Sequence, residues 1–288
     1  MTESSPWSVA DRPTLAPAEH AYWRRLIRQR CGIDFGDSRI STLRRCLGER
    51  SRVLGLRSFD AYHAHLSADD SEWENLVELL VNGESSFFRH PPSFDALHKV
   101  LRELLARKTK EGDTGLRLWS AGCSRGQEAY SLAICAREAT IAHPEQRVLV
   151  VGSDLSRTAL AAATAGRYRE RSVARLPEAV RRRHFKACRD LDPPQVQIHD
   201  TLRQTVRFHH WNLVRADTWP LPRQDVIFCQ NLLIYFHKDD RAIALERFFA
   251  QLNPGGYFFP GPGEAIGWRR EGLKTHRVDD TIIFQREH

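Results

Sequence analysis

The sequence predicts an α/β protein: a small all-helical N-terminal part, then a mostly parallel sheet that carries a small β insertion. Three observations predict it. The first third shows only helical periodicity. Past the polar stretch "KTKEGDTG", short apolar runs alternate with helical segments, the pattern of βαβ units. Between Tyr168 and Val206 the alternation is broken by a basic helical stretch and by "DPPQVQIHDTLRQTV", whose alternating tail reads as an antiparallel hairpin.

The helical part divides into four segments. "APAEHAYWRRLIRQRCG" places Tyr22, Leu26 and Ile27 on one face and stops at Gly32. "SRISTLRRCLGERSRVLG" has Ile40, Leu43 and Leu47 at helical spacing, and "SFDAYHAHLS" is a third, shorter helix. "SEWENLVELLVNGE" puts Ser71 and Glu74 in capping-box register and is expected to bury Trp73, Leu76, Leu79 and Leu80. A further helix, "HPPSFDALHKVLRELLARK", is expected to start after its double proline.

The α/β part then runs "LRLWSA", "GQEAYSLAICAREA", "RVLVVGSD" and "SRTALAAATAG". After the interruption come "TVRFHHWNL", "QDVIFCQNLLIYF", "DDRAIALERFFAQL", "GGYFFPG" and "DTIIFQRE".

Bulk properties exclude several classes. The chain has 288 residues, 41% hydrophobic and 27% charged, ordinary for a water-exposed globular protein. No apolar run approaches the roughly 20 residues that span a bilayer. The first thirteen residues lack a basic and apolar leader and read as a disordered lead. Six cysteines are scattered without a CxxC pair, so a zinc ribbon is not expected and reduced thiols in the cytoplasm are. A net charge of +7 points to an acidic partner.

Chemistry concentrates at "GCSRGQEAYSLA", where an apolar strand breaks at glycine and turns into a helix. In an open α/β sheet, ligands sit at the carboxyl ends of strands. Gly122 and Gly126 lie there, and Asp154 ends the next strand, where a carboxylate can accept from both ribose hydroxyls. The spacing is not that of a dinucleotide fingerprint. Glu128, early in the helix, would repel a pyrophosphate and suits an amine and a sulfonium, as in S-adenosylmethionine. Complementing the helix dipole is its plainer alternative.

An amino-methylating nucleic-acid enzyme would show an Asp/Asn-Pro-Pro-aromatic turn after the fourth strand. A cytosine C5 enzyme would show Pro-Cys, whereas Phe228 precedes Cys229. Nucleic acid is therefore not the expected partner. His209 and His210 alternate in a strand and cannot chelate jointly, so no metal is expected.

"NGESSFFRH", "WSAGCSRGQEAYSLA", "GSDLSRTALAAATAGRY", "FHHWNL", "VIFCQNLLIYF" and "LNPGGYFFPGPGE" resemble, in order, the motifs of the CheR family, the chemotaxis receptor methyltransferases. The resemblance covers nearly the whole chain after the lead. It implies S-adenosylmethionine:protein-glutamate O-methyltransfer to chemoreceptors, with S-adenosylhomocysteine as product, in cytoplasmic signalling.

The architecture it implies is a helical domain over about 14–90 and a class I, Rossmann-like methyltransferase domain over about 91–288, with a β-subdomain inserted at about 169–206. It implies catalytic roles for Arg89 and Tyr235. It implies cofactor contacts from Gly83, Ser85, Arg89, Gly122, Glu128, Asp154, Asn212, Leu213, Asn231 and Leu232.

The chain departs from the family pattern in several places. Gly83 stands where asparagine is usual, with Asn82 adjacent; Ser85 replaces threonine; Gln230 replaces arginine; and "GPGEAI" replaces Gly-His-Ser-Glu. Those departures keep a second reading open, a cofactor-binding or receptor-docking module without turnover. A small-molecule or RNA methyltransferase on the same scaffold is a third, against which the helical part and "FFR" speak.

Receptor methylation segments are, by resemblance, acidic helices. Arg44, Arg45 and Arg52 on one basic helix are expected to dock them. Many relatives hold a receptor pentapeptide through a glycine-rich turn in the β-subdomain. The stretch "KACRDLDPPQVQIHDTLRQTV" has no glycine and two prolines, so a monomer independent of that tether is expected.

Overall fold

The computed structural model describes residues 15–81, 83–188, 193–214, 219 and 221–288. The expected disordered lead and Asn82 lie outside the described residues, as does 189–192 within the insertion. The chain forms two compact units, one of residues up to Asn82 together with Tyr235–His237, the other of Gly83–Ile234 and Lys238–His288.

The first unit contains α1 (Pro17–Cys31), α2 (Ile40–Val53), α3 (Phe59–Ala68) and α4 (Asp70–Leu80). Helix α1 begins on Pro17 and ends on Gly32, whose φ of 76° closes the helix with a bond to the Arg28 carbonyl. Its buried stripe is His20, Trp23, Ile27 and Cys31; of the expected face Ile27 is buried, but Tyr22 is 36% exposed and Leu26 half-buried. Trp23 stacks on Tyr62 of α3 at 5.8 Å, and that contact rotates the helix.

Helix α4 is capped by Asp69, which accepts from the Ser71 N–H; Ser71 itself is not the cap. The helix buries Val77 in place of Leu79. Glu72 of α4 is 2% exposed and accepts a two-pronged bond from Arg50 of α2, at 2.8 Å on each oxygen, and the Tyr62 hydroxyl at 2.8 Å. Burial pushes its carboxyl up, but the bonds from Arg50, Tyr62 and Asn75 bring it below the usual range. One ionised carboxylate therefore ties three helices together.

The distant Tyr235–His237 joins this unit by backbone pairing. Ile33 bridges Phe236 antiparallel, and the Asp34 N–H donates to the Tyr235 carbonyl at 2.8 Å. The Arg39 guanidinium lies over the Tyr235 ring at 4.9 Å.

The second unit is built on a seven-stranded sheet. Its strands are β1 (Gly115–Ala121), β2 (Arg147–Asp154), β6 (Val206–His210), β7 (Gln224–Cys229), β8 (Leu252–Pro260), β9 (Leu273–Val278) and β10 (Thr281–Arg286), in the order β6-β2-β1-β7-β8-β10-β9. The first five in that order run parallel, and β10 is antiparallel to both β8 and β9. Sequence reading missed β9, "LKTHRV", whose residues are all exposed or half-buried and so carry little apolar signal.

The helices of this unit are α5 (Pro91–Glu111), α6 (Gln127–Ala139), α7 (Arg157–Ala165), α8 (Glu178–His184), α9 (Asp200–Arg203) and α10 (Lys238–Gln251). Helix α5 starts on its prolines rather than after them, because the first-turn N–H groups have no helical acceptor to lose. Near its end Lys108 is 2% exposed, with Asp113 at 2.6 Å and buried Asp225 of β7 at 3.0 Å, which fastens the helix to the sheet.

The insertion is a three-stranded antiparallel sheet rather than a hairpin. Central β5 (Gln195–Ile198) pairs with β3 (Arg167–Arg169) and with β4 (Phe185–Cys188). Phe87 sets its ring edge-on to Tyr168 of β3 at 4.9 Å and to Phe185 of β4 at 5.3 Å, which seats the insertion on the segment leading into α5.

Candidate functional site

The strand order reverses at β1: the chain goes outward through β2 to β6, then returns to β7 on the other side. A crevice opens at the carboxyl ends of strands at such a reversal. Three chain turns meet there.

The first is the glycine turn after β1. Gly122 has a φ of 82°, and a Cβ on it would lie 2.8 Å from the Leu232 side chain. Its N–H and that of Cys123 donate to the Ser153 carbonyl at 2.8 and 2.9 Å, which binds the turn to the end of β2. Ser124 also takes a positive φ, 48°, and its N–H donates to Asp154 Oδ2 at 2.7 Å. The Ser156 N–H donates to Asp154 Oδ1 at 2.9 Å, so both carboxylate oxygens are oriented by backbone. Gly126 starts α6 with a φ of 87°, and a Cβ there would lie 2.8 Å from Ala163.

The segment Gly83–Arg89 is laced to this turn. Ser124 Oγ donates to the Gly83 carbonyl at 3.1 Å, Gln127 Nε2 to the Ser85 carbonyl at 3.4 Å, and the Phe88 N–H to Ser131 Oγ at 3.0 Å. Phe88 has a φ of 49°, unusual for an aromatic residue, immediately before Arg89. Arg89 is exposed, and its Nη1 donates to the Glu84 carbonyl at 3.2 Å.

Glu128, half-buried in the first turn of α6, accepts from Ser120 Oγ at 2.7 Å. Burial pushes its carboxyl up to about 7; the Ser120 bond and the charge of Arg89 oppose the rise, and the Glu264 carboxylate adds to it.

The second turn follows β7. Asn231 has a φ of 57°, and Leu232 closes against Gly122. Gln230, the departure noted above, is buried and donates to Ser93 Oγ at 2.8 Å, so here the side chain braces the end of β7 against α5. The third turn follows β6. The Trp211 N–H donates to the Asp154 carbonyl at 3.1 Å, Asn212 Oδ1 accepts from the Val214 N–H, and Leu213 is buried. Trp211 stacks on His209 at 4.7 Å.

Of the residues singled out in the sequence, Gly83, Ser85, Gly122, Glu128 and Asp154 thus share one bonded neighbourhood. Asn231 and Leu232 join it through Gly122, and Asn212 and Leu213 stand beside Asp154. Tyr235 is grouped with the helical unit. Sequence reading missed Ser120, Ser124, Gln127 and above all Glu264. An acid just past an apolar strand, in "PGPGE", was the signal available for the last.

A family model described as CheR methyltransferase, SAM binding domain, matches residues 83–281, and one described as CheR methyltransferase, all-alpha domain, matches residues 18–81. The chain belongs to the CheR methyltransferase family. It is similar to chemotaxis protein methyltransferase 2 of Pseudomonas aeruginosa, 34% identical over 234 residues, 81% of each chain. To a chemotaxis protein methyltransferase of Klebsiella aerogenes it is 32% identical over 265 residues, 89% of this chain and 87% of that one. To a probable biofilm formation methyltransferase of P. aeruginosa, 30% identity covers 92% of this chain and 61% of the other.

This CheR-family chain is an S-adenosylmethionine-dependent protein methyltransferase, and its fold is the expected class I one with an all-α N-terminal part. The chemistry of the crevice fits that cofactor. It offers acceptors: the Asp154 carboxylate, the Glu128 carboxylate, and the buried Gln127 Oε1, which has no hydrogen-bond partner among the described residues. Acceptors suit hydroxyls, an amine and a sulfonium, and repel phosphates. No helix among the described residues is long and apolar enough to cross a membrane.

The raised Glu128 gives a pH dependence. Its ionised form should attract a cationic ligand, so cofactor affinity is expected to rise as pH rises through about 7. Because the folded state holds the proton more tightly than the unfolded chain, ionised Glu128 costs stability above pH 7. Glu128→Gln should raise Tm by a few degrees at pH 8, weaken S-adenosylmethionine binding and flatten its pH dependence. Calorimetric titrations at pH 6, 7 and 8 with a thermal melt of each protein check all three.

Proposed function

We propose that this methyltransferase esterifies glutamate side chains of chemoreceptors in the cytoplasm, for chemotactic adaptation or related signalling. The observation that carries the reading is the assembly of Gly83, Ser85, Gly122, Glu128 and Asp154 into one acceptor-lined crevice, in a chain whose family match takes in both the helical and the cofactor-binding part. The chemotaxis names of its relatives support the substrate class.

When bound, S-adenosylmethionine supplies a methyl group on a sulfonium, which an ionised carboxylate takes without proton transfer. In this reading Asp154 receives the ribose hydroxyls and Glu128 faces the cationic end. The turn residues Gly83, Ser85 and Gly122 bring backbone to the cofactor, and Asn212, Leu213, Asn231 and Leu232 line the adenine and its surroundings.

A glutamate side chain is ionised at neutral pH, so the protein need supply no strong base. What remains is alignment, and holding a nucleophile in line at near-attack distance is worth several orders of magnitude. The Arg89 guanidinium offers a rigid two-pronged donor to the substrate carboxylate, and the Tyr235 phenol a second donor. Strong pairing with Arg89 would stabilise the ground-state anion, so its part is orientation.

Incubation with labelled S-adenosylmethionine and receptor cytoplasmic domains should yield base-labile label on glutamate. Arg89→Ala and Tyr235→Phe should each cut that turnover about 100-fold while leaving Tm unchanged. Cofactor binding with no label on any receptor would instead favour the docking module, and full activity in both variants would reject the two roles.

Docking on the acidic receptor helix falls to α2. Arg44, Arg45 and Arg52 are exposed on it, and Arg45 is loosely paired with Glu49 at 3.7 Å. Charge reversal at Arg44 and Arg45 should raise KM for receptor, flatten its salt dependence and spare cofactor affinity. Steady-state kinetics at low and high salt read the first two, and calorimetry the third.

The insertion leads to the last expectation. Its glycine-free stretch with Pro193 and Pro194 suits a turn but not a close backbone clamp. A free receptor-tail pentapeptide should show no saturable binding, and a tail-less receptor should be methylated normally. Micromolar binding mapped to the insertion would reverse this.

A further inference from the structure

Beyond Gly261-Pro262-Gly263, at the end of β8, the chain places Glu264, 2% exposed. One of its carboxylate oxygens accepts from the Gly261 N–H at 2.8 Å and from the Asn231 N–H at 3.0 Å. The other accepts from the Ile234 N–H at 3.1 Å. The donors belong to two different turns, one after β8 and one after β7. A single side chain therefore clamps the turn that carries Asn231 in its left-handed conformation and Leu232 against Gly122.

A neutral amide would hold such a turn poorly. Each carboxylate oxygen here receives donors only, and an amide replaces one of those oxygens with a donor, leaving buried N–H groups facing an NH2. Charge is the second consequence. Glu264 is held by backbone N–H groups; burial pushes its carboxyl up and those bonds pull it down. Its charge is felt at Glu128.

We propose that Glu264 is a positioning residue for the cofactor site: it sets the Asn231–Ile234 turn against the glycine turn. The inference rests on the cofactor reading of the crevice given above. It adds a residue that touches neither cofactor nor substrate and acts through the turn it holds. The titratable and charged groups around Glu128 are Glu264, Arg89 and the thiols of Cys123 and Cys229, both pushed well up by burial. Of these, Glu264 is the one whose removal lowers the charge repelling an ionised Glu128.

The test is calorimetric titration of the full-length protein with S-adenosylhomocysteine from pH 5.5 to 8.5, with a melting curve of each variant. In Glu264→Gln, affinity at pH 8 should fall about tenfold, the size expected when a buried donor loses its acceptor. The pH midpoint of binding should move below that of the wild type. Glu264→Asp keeps the charge but shortens the reach, so it should lose affinity while keeping the wild-type midpoint.

Wild-type affinity and midpoint in Glu264→Gln, with only a lower Tm, would make Glu264 a fold residue and overturn the proposal. Should Glu264→Gln fail to fold, Gly261→Ala carries the test. A Cβ there collides with the Glu264 carboxylate and pushes it off its donors. Lost affinity supports the proposal, and unchanged affinity overturns it. Failure of the wild-type protein to bind S-adenosylhomocysteine or S-adenosylmethionine would overturn the cofactor reading itself, an outcome distinct from either.

Discussion

The close approach of Gly122 to Leu232 is the constraint on which the site depends. Strands β1 and β7 are neighbours whose exits turn away from each other, and a crevice at that point is useful only if the two exit turns nearly touch. A side chain at position 122 would occupy the place of Leu232, and the φ of 82° there disfavours any residue with a Cβ. The same turn gives two N–H groups to the Ser153 carbonyl and a third, from Ser124, to Asp154. Backbone alone thus links the ends of β1 and β2, and the acid at the end of β2 is oriented before any ligand arrives.

That arrangement gathers carboxylates where burial opposes their charge. Glu128 and Glu264 are both displaced upward by burial, and Glu264 raises Glu128 further. Charges of one sign held together in a crevice destabilise the empty protein and favour a cation. Elsewhere the chain treats buried acids differently: Glu72 is paired with Arg50, and Asp225 with Lys108. Those pairs are structural braces, complete in themselves. In the crevice, by contrast, Glu128 accepts from a hydroxyl and Glu264 from backbone N–H groups, with the charge of Arg89 acting on Glu128.

The helical unit holds its own three-helix tie at Glu72 and takes in the short Tyr235–His237 segment by backbone pairing with Ile33 and Asp34. Those three residues follow directly on the turn that Glu264 clamps. One continuous stretch, 231–237, therefore belongs by its bonds first to the sheet and then to the helices.

The sequence by itself determined the class of fold, the helical opening, most strands, and the glycine turn with its two acids, because those are local signals: periodicity, a strand ending in glycine, an acid at a strand end. The residues Gly122, Glu128 and Asp154 were legible for that reason. It misjudged α1, where Trp23 and not Tyr22 faces inward, because the stacking partner Tyr62 lies about forty residues away. It placed the α4 cap at Ser71, because Asp69 and Ser71 are equally plausible caps until the turn is built. It missed β9, whose half-exposed face carries no periodicity, and it saw a hairpin where β3 supplies a third strand from before the basic helix. Only tertiary structure decided the part of Glu264. Its three donors, Gly261, Asn231 and Ile234, come from two turns separated by a whole helix and strand, and no spacing in the chain announces that they converge on one carboxylate.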